Sequence, residues 1–336
     1  MTESSYLMWF RRLATVAAAL ALVVIVLGAW VRLSDAGLGC PDWPGCYGHL
    51  TVDQAARNVD AVNQAFPQRP FEYHKALKEM VHRYFASTLG FLILILAGLA
   101  LANRSDPRQP VALPLALTAI VILQGLLGMW TVTLLLKPLI VVLHLLGGLT
   151  TFALLCWLAM RPSRAPSAGG ENDQRRPLAR WAALGLAVLV VQIALGGWTS
   201  SNYAALACPD FPTCQNEWWP QMDASEAFIL WRGLGIDYEG GVLDHPARVA
   251  IHFAHRMGAL AAALILGWAS VLAWRTGGAV RTAGVLLGAV LIAQLVLGPV
   301  MVMRALPLSL ATAHNAVAAL LLLATVRLNF AARRAQ

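Results

Sequence analysis

Roughly eight apolar stretches divide the sequence, near 13–32, 82–102, 111–133, 138–160, 178–199, 249–273, 279–302 and 308–328. A run of about 18 or more apolar residues is long enough to cross the hydrocarbon of a bilayer as a helix. Only helices and closed barrels satisfy their own backbone there. The chain is therefore expected to be an all-α integral membrane protein with eight transmembrane helices. Charged residues make up 12% of it, about half of what a soluble domain carries. The first run, Leu13 to Trp30, is too long for a cleaved signal core and precedes no small-residue cleavage motif, so it is expected to stay as the first helix.

The net charge of +8 would suit nucleic acid, but its placement excludes that reading. Arg11 and Arg12 precede the first run. Arg104 and Arg108 lie between the second and third; Arg161, Arg164, Arg175, Arg176 and Arg180 lie between the fourth and fifth. Arg275 and Arg281 lie between the sixth and seventh, and Arg327, Arg333 and Arg334 end the chain. With an even number of spans all of these fall on one side, and the short opposite loops hold only Lys137 and Arg304. This is the positive-inside bias, which puts both termini in the cytoplasm and the long loops 33–75 and 200–247 outside. A multi-pass protein of a bacterial inner membrane is expected, with the lipid bilayer as its surroundings.

A repeat is visible by eye. Leu27-Gly-Ala-Trp30 recurs as Leu195-Gly-Gly-Trp198, and Cys40-Pro-Asp-Trp-Pro-Gly-Cys46 as Cys208-Pro-Asp-Phe-Pro-Thr-Cys214. His82-Arg83 recurs as His255-Arg256, Gln124 and Gly128 as Gln294 and Gly298, and His144 as His314. The offset holds between about 168 and 173 residues, so these are aligned positions. Four helices precede the second copy, so both copies have one orientation. They are expected to be tandem four-helix bundles related by a pseudo-twofold axis along the membrane normal. The halves are read as 1–160 and 178–336, joined by a cytoplasmic linker, 161–177.

Ionisable groups in a membrane helix cost about 2.5–3.5 kcal/mol at its centre and usually face a site. Of the eight histidines, His49, His74 and His245 lie in or beside the outer loops, whereas His82, His144, His255 and His314 lie in helices at matched positions. His144 and His314 are each about six residues into their helices, roughly 9 Å deep at the helical rise, and His82 and His255 are also near outer ends. Two histidines at one depth suit the axial ligands of one iron, and bundle cores hold such cofactors. Zinc usually gathers three or four ligands, so two per half point to haem.

The halves differ at one place. Glu79 stands three residues before His82, on the same helix face, and the matching residue is His252. Glu79 is thus either a group serving chemistry beside a haem ligand or an interfacial residue paired with Lys75 or Lys78. Arg83 and Arg256 are candidates for haem propionate partners or for snorkelling to headgroups. Gly28, Gly128 and Gly298 are read as close-packing positions. Four of the five cysteines fall in the outer loops, where disulfides form. Local pairs Cys40–Cys46 and Cys208–Cys214 are expected because each shares one short loop. Each is a structural lid, or, for the first pair, a redox element. Cys156 is expected to be a packed thiol within the fourth helix. Pro299 reads as interrupting the seventh helix near its outer end.

At Gly28-Ala-Trp-Val-Arg32, Gly37-Leu-Gly-Cys-Pro-Asp-Trp-Pro-Gly-Cys46, Glu79-Met-Val-His82-Arg83, His144, His255-Arg256 and His314 the chain resembles the haem A synthase family, over nearly its whole length. The resemblance implies an oxidoreductase that converts the C8 methyl group of haem O to a formyl group, giving haem A for terminal cytochrome oxidases. It implies that His82 and His144 hold the substrate haem O, that Glu79 serves the chemistry, and that His255 and His314 hold a cofactor haem b. It further implies an electron-transfer partner, and contact with haem O synthase and cytochrome oxidase assembly factors. The second cysteine pair is not a feature of every member. Two other classes stay open. A di-haem b electron-transfer cytochrome needs no Glu79 asymmetry. A haem or quinone carrier would have helices broken near midplane.

Overall fold

The computed structural model describes residues 5–161 and 175–334, and these are helical and loop throughout, without a named strand. Eight long helices are α1 (Ser5–Leu33), α4 (Tyr73–Ala102), α5 (Ala112–Thr133), α6 (Pro138–Met160), α7 (Arg175–Ser201), α9 (His245–Thr276), α10 (Gly278–Met303) and α11 (Leu308–Arg334). Each is long and apolar enough to cross a membrane. Three short helices, α2 (Val52–Ala56), α3 (Val59–Ala65) and α8 (Ala224–Ala227), lie in the long loops. Hydropathy alone reads these segments as loop.

The ends of the helices depart from the apolar runs for identifiable reasons. α4 starts at Tyr73, ahead of the run near 82–102, because Ala76, Glu79 and Met80 make a buried stripe beneath the first cysteine loop while the intervening Lys75 and Lys78 lower the hydropathy. α10 passes through Pro299 to Met303 rather than being interrupted there. A proline costs a membrane helix one backbone bond but need not end it. α9 and α10 are joined at Gly277, whose φ of 84° only glycine adopts readily. Most of the expected linker, residues 162–174, lies outside the described residues, and α7 takes up its last three positions.

Each half closes into a ring of four. α1 packs on α4, α4 on α5, α5 on α6, and α6 back on α1; α7, α9, α10 and α11 do the same. The rings join where α1 and α6 meet α7 and α11. α1 contributes Phe10, Ala14, Ala17, Ala18 and Ala21, all buried, so that the backbones approach closely, as small residues allow in membranes. The same core continues through Leu155 and Leu158 to Leu178, Ala182 and Leu328 without a break. Large apolar residues point outward instead: Phe91, Ile122, Leu264 and Ile292 are 62%, 60%, 67% and 64% exposed. A water-soluble protein does not tolerate so much outward apolar area, whereas hydrocarbon does.

The two long loops lie at the same end of the molecule. Arg69 pairs with Asp237 and Glu239. Arg32, at the end of α1, donates to the Ser200 carbonyl at 2.7 Å and covers the Tyr203 ring at 4.3 Å. Lys137 donates to the carbonyls of Arg232 and Gly233 at 2.5 and 2.6 Å beneath Trp231, and is only 2% exposed. The repeat extends to the backbone. Non-glycine residues with positive φ are uncommon, yet they recur at matched turns: Asp35 and Tyr203, Tyr47 and Gln215, Leu135 and Ala305, Leu136 and Leu306.

The first cysteine loop meets α4 backbone to backbone at Gly39, where a Cβ would come within 2.5 Å of the Lys75 carbonyl carbon. Gly39→Ala is expected to cost about 1–3 kcal/mol, as overpacking does, and to lower the thermal unfolding midpoint in detergent. Gly98→Ala meets nothing within 4 Å and should leave the midpoint in place. Equal midpoints for the two variants would contradict this packing.

Candidate functional site

His82 lies on α4 and His144 on α6, which sit diagonally across the first ring; His255 on α9 and His314 on α11 sit diagonally across the second. The members of each pair are within electrostatic reach of one another. The structure therefore brings together the four sequence-predicted histidines, two and two. It leaves the others apart. His74 is exposed in the first turn of α4, His49 is exposed in the first cysteine loop, and His245 opens α9 beside Gln215.

Glycine makes room for each ring. A Cβ at Gly28 would stand 3.0 Å from His82 Cε1, and one at Gly196 would stand 3.1 Å from His255 Cε1. Gly128 and Gly298 face His144 and His314 at 3.5 Å. The close packing expected at these glycines is thus the packing of an imidazole on a bare backbone. As whole residues the four histidines are partly buried among their helices. The Nδ1 atoms of His82, His144 and His314 are buried without a hydrogen-bond partner, an arrangement that costs free energy in an apolar interior. Gln294 places its amide nitrogen 3.1 Å from His314 Nε2. Gln192 does the same for His255 Nδ1.

Among the described residues no three of His, Cys, Asp or Glu converge as metal ligands. A bare ion is poorly served by two imidazoles. A haem brings four ring nitrogens and asks the protein for one or two more donors. Paired histidines on diagonal helices fit that need in both halves, with buried unpartnered nitrogens on His82, His144 and His314.

The cysteine pairs bond as expected, Cys40 to Cys46 and Cys208 to Cys214, with Cα atoms 4.8 and 4.6 Å apart. Cys156 is a buried free thiol. In each loop the aspartate after the first Cys-Pro accepts two backbone N–H groups: Tyr47 and Gly48 for Asp42, Gln215 and Asn216 for Asp210. Burial, reinforced by the Glu72 and Glu79 carboxylates, pushes the Tyr47 phenol up to about 12. It therefore stays a neutral donor to the Pro70 carbonyl.

Arg83 and Arg256 each reach the loop of their own half. Arg83 donates to the carbonyls of Asp42, Pro44 and Gly45 at 3.0, 3.3 and 2.5 Å. Arg256 donates to those of Cys208, Asp210 and Thr213 at 2.8, 2.7 and 2.7 Å. Each clamps its own disulfide loop over the helix that carries the histidine. Adjacent residues are about 100° apart on a helix, so the arginine can hold the loop while the histidine faces inward.

Glu79 is 5% exposed and pairs with neither lysine considered. Lys75 goes to Glu72, and Lys78 covers Trp30. One Glu79 oxygen accepts the Cys40 N–H at 2.9 Å and the other accepts from Arg83. The carboxylate thus ties the first disulfide loop to the helix one turn above His82. In the second half His252 holds the Ala204 carbonyl through Nδ1 at 3.0 Å instead. The aspartate nests and Gln192 escaped the sequence reading. Asp42 and Asp210 could have been found as the repeated acid inside each cysteine motif, and Gln192 as a lone amide inside an apolar run.

Comparison with known proteins agrees with this arrangement. The family described as cytochrome oxidase assembly protein (COX15-CtaA) matches residues 11–326. A protein of Shewanella oneidensis named haem A synthase is 44% identical over 96% of this chain and 96% of its own length. Proteins of the same name from Caulobacter vibrioides and Methylobacterium nodulans are 28% and 30% identical, over 95% and 91% of this chain and 94% and 87% of theirs. The chain belongs to the COX15-CtaA family of cytochrome oxidase assembly proteins.

Proposed function

We propose that this protein is a haem A synthase, a membrane oxidoreductase that converts the C8 methyl group of haem O to the formyl group of haem A. The observation that carries the reading is a pair of matched bis-histidine sites of which only one has a carboxylate at its edge. Replacing two methyl hydrogens by one oxygen is a four-electron oxidation, so one site must react and a second redox site can exchange the electrons that the reaction yields or consumes. His82 and His144 hold the substrate haem O in the half 1–160; His255 and His314 hold a haem b in the half 178–336. The halves, related by a pseudo-twofold axis along the membrane normal and joined through 161–177, place the two sites side by side. When bound, haem b supplies one-electron transfer to and from its iron.

The residues of the chain supply the rest. The histidines orient the substrate ring. Glu79, held rigidly by Arg83 and the Cys40 amide, presents a fixed negative charge one helical turn from His82. There it stabilises positive charge developing during methyl oxidation or takes a proton, for which a carboxylate bonded at each oxygen still has lone pairs free. The clamped disulfide loop covers the outer end of α4 and limits water. The di-haem cytochrome reading has no use for the Glu79–His252 difference. An electron-transfer partner, haem O synthase and oxidase assembly factors complete the proposed setting, in a bacterial inner membrane with termini inside and cysteine loops outside.

Two outcomes follow. Leu50→Cys and Trp218→Cys, at positions 74% and 75% exposed in the long loops, should react with an impermeant maleimide from the periplasmic side only, and Ser105→Cys from the cytoplasmic side only; the opposite pattern inverts the topology. Glu79→Gln should lower conversion of haem O to haem A by about 10²–10⁴-fold, the usual worth of a positioned acid or base, with haem b content near normal. Replacing His255 or His314 should remove haem b, and replacing His82 or His144 should weaken retention of haem O. Haem extraction and chromatography read all of these. Undiminished haem A in Glu79→Gln would remove its catalytic role, and equal loss of haem b from His82 and His255 variants would favour the cytochrome.

A further inference from the structure

The stretch 228–234 of the second long loop reads Phe-Ile-Leu-Trp-Arg-Gly-Leu and is built inside out for a segment in water. Leu230, Trp231 and Leu234 are 58%, 53% and 72% exposed. Its polar groups turn the other way. Arg232 pairs with Glu226 at 2.6 Å and donates to the Glu226 carbonyl at 2.8 Å. The carbonyls of Arg232 and Gly233 are held by Lys137 beneath. The first long loop has the ordinary arrangement. Around α2 and α3 it buries Val52, Ala55 and Val62 and exposes Asp53, Arg57 and Asp60.

Two contacts fix how deep the second loop sits. The first is at the turn between α5 and α6. Tyr238 donates its N–H to the Leu135 carbonyl at 3.1 Å, and Lys137, which precedes the first residue of α6, is covered by Trp231. α5 and α6 have 22 and 23 residues. Each is therefore about 33–35 Å long at the helical rise, little more than the ~30 Å of hydrocarbon it crosses. Their turn lies at the edge of the hydrocarbon, and what rests on it lies in the headgroup layer, which adds about 5–7 Å on each side. The second contact is on the flank of α9, where the Trp219 ring meets the Phe253 ring edge-on with centroids 5.2 Å apart. α9 carries no charge between Arg256 and Arg275, a length of about 27 Å at the helical rise. That stretch fills the hydrocarbon and leaves Phe253 one turn outside it. The loop thus reaches the same level on both rings.

We infer that the second long loop is an interfacial anchor, with lipid as the occupant of its apolar surface. Leu230, Trp231 and Leu234 over the first half, and Trp219 beside the second, lie among the lipid headgroups. Tryptophan gathers at this level because its ring is apolar while its N–H still finds a polar partner. Leu126 and Leu143 expose further apolar surface near the same ends of α5 and α6. In water such a patch would need a protein to cover it; at headgroup depth the bilayer does so. The same loop supplies the acceptors of Lys137 and the acids that pair with Arg69. Its hold on lipid therefore also presses the two halves together at this end.

The test uses the full-length protein in nanodiscs of phosphatidylethanolamine and phosphatidylglycerol. Leu230→Cys, Leu234→Cys and Trp219→Cys are each labelled in detergent with an environment-sensitive fluorophore and then reconstituted. Leu50→Cys, in the first long loop, is the water-exposed reference. Cys156 is buried and the other four cysteines are in disulfides, so the new thiol is the accessible one. The three labels should emit to the blue of the reference and lose most of its quenching by aqueous iodide. A nitroxide on the lipid headgroup should quench them more strongly than one near the end of an acyl chain. Emission and iodide quenching equal to the reference, with no effect of the headgroup nitroxide, put the segment in water. That result overturns the inference and leaves the apolar surface to a protein partner. Stronger quenching by the deep nitroxide overturns it as well, since the segment then lies in hydrocarbon. The three positions are read independently, so a variant that fails to accumulate leaves two that decide the matter.

Discussion

A backbone amide in hydrocarbon has no water to fall back on, and an unpaired one costs several kcal/mol. That constraint shapes the protein more than any particular contact. It forces the membrane portion into uninterrupted helices, even through Pro299. Chemistry can therefore enter the interior only as side chains projected from those helices. It also concentrates irregular structure at the helix ends, where carbonyls left over by the loops need donors. Arg83 and Arg256 supply them. Each spends a guanidinium on three loop carbonyls, a use for which its planar fork is better suited than a lysine ammonium.

The repeat makes the chemistry readable because duplication holds most variables constant. Both halves keep the ring of four helices, the diagonal histidines, the facing glycines, the clamped disulfide loop and the aspartate nest. What differs therefore carries meaning. Glu79 against His252 changes what the loop is tied by and puts a charge beside one site only. Gln192 in place of Val24 puts a side-chain amide beside one ring only. The difference between the two sites thus lies in a few positions of a scaffold otherwise shared.

Most of the architecture was legible in the sequence, since spans, repeat and histidine pairs all follow from long-period patterns that a bilayer enforces strictly. The failures sit where polar groups solve local problems. Hydropathy set the second span near 82 because Lys75, Lys78 and Glu79 interrupt the apolar run, yet a buried stripe carries α4 back to Tyr73. The loop carbonyls that Arg83 holds were not legible, because a one-dimensional string does not reveal that a loop some 40 residues earlier folds back over it. Glu79 was matched with neighbouring lysines for the same reason, while its real partners are one turn on and in that loop. Lys137 entered the sequence reading only as a charge in a short outer loop, and is almost wholly covered by the second long loop.

That burial has a consequence for how far the halves are separate objects. Lys137 belongs to the first half, but the carbonyls and the aromatic ring that satisfy it belong to the second, and Arg69 likewise finds its acids across the boundary. A first half made alone would leave a buried ammonium without acceptors, and the alanine face of α1 would lie open to lipid. The two similar bundles are thus bound into one object at their outer ends, each completing polar groups of the other.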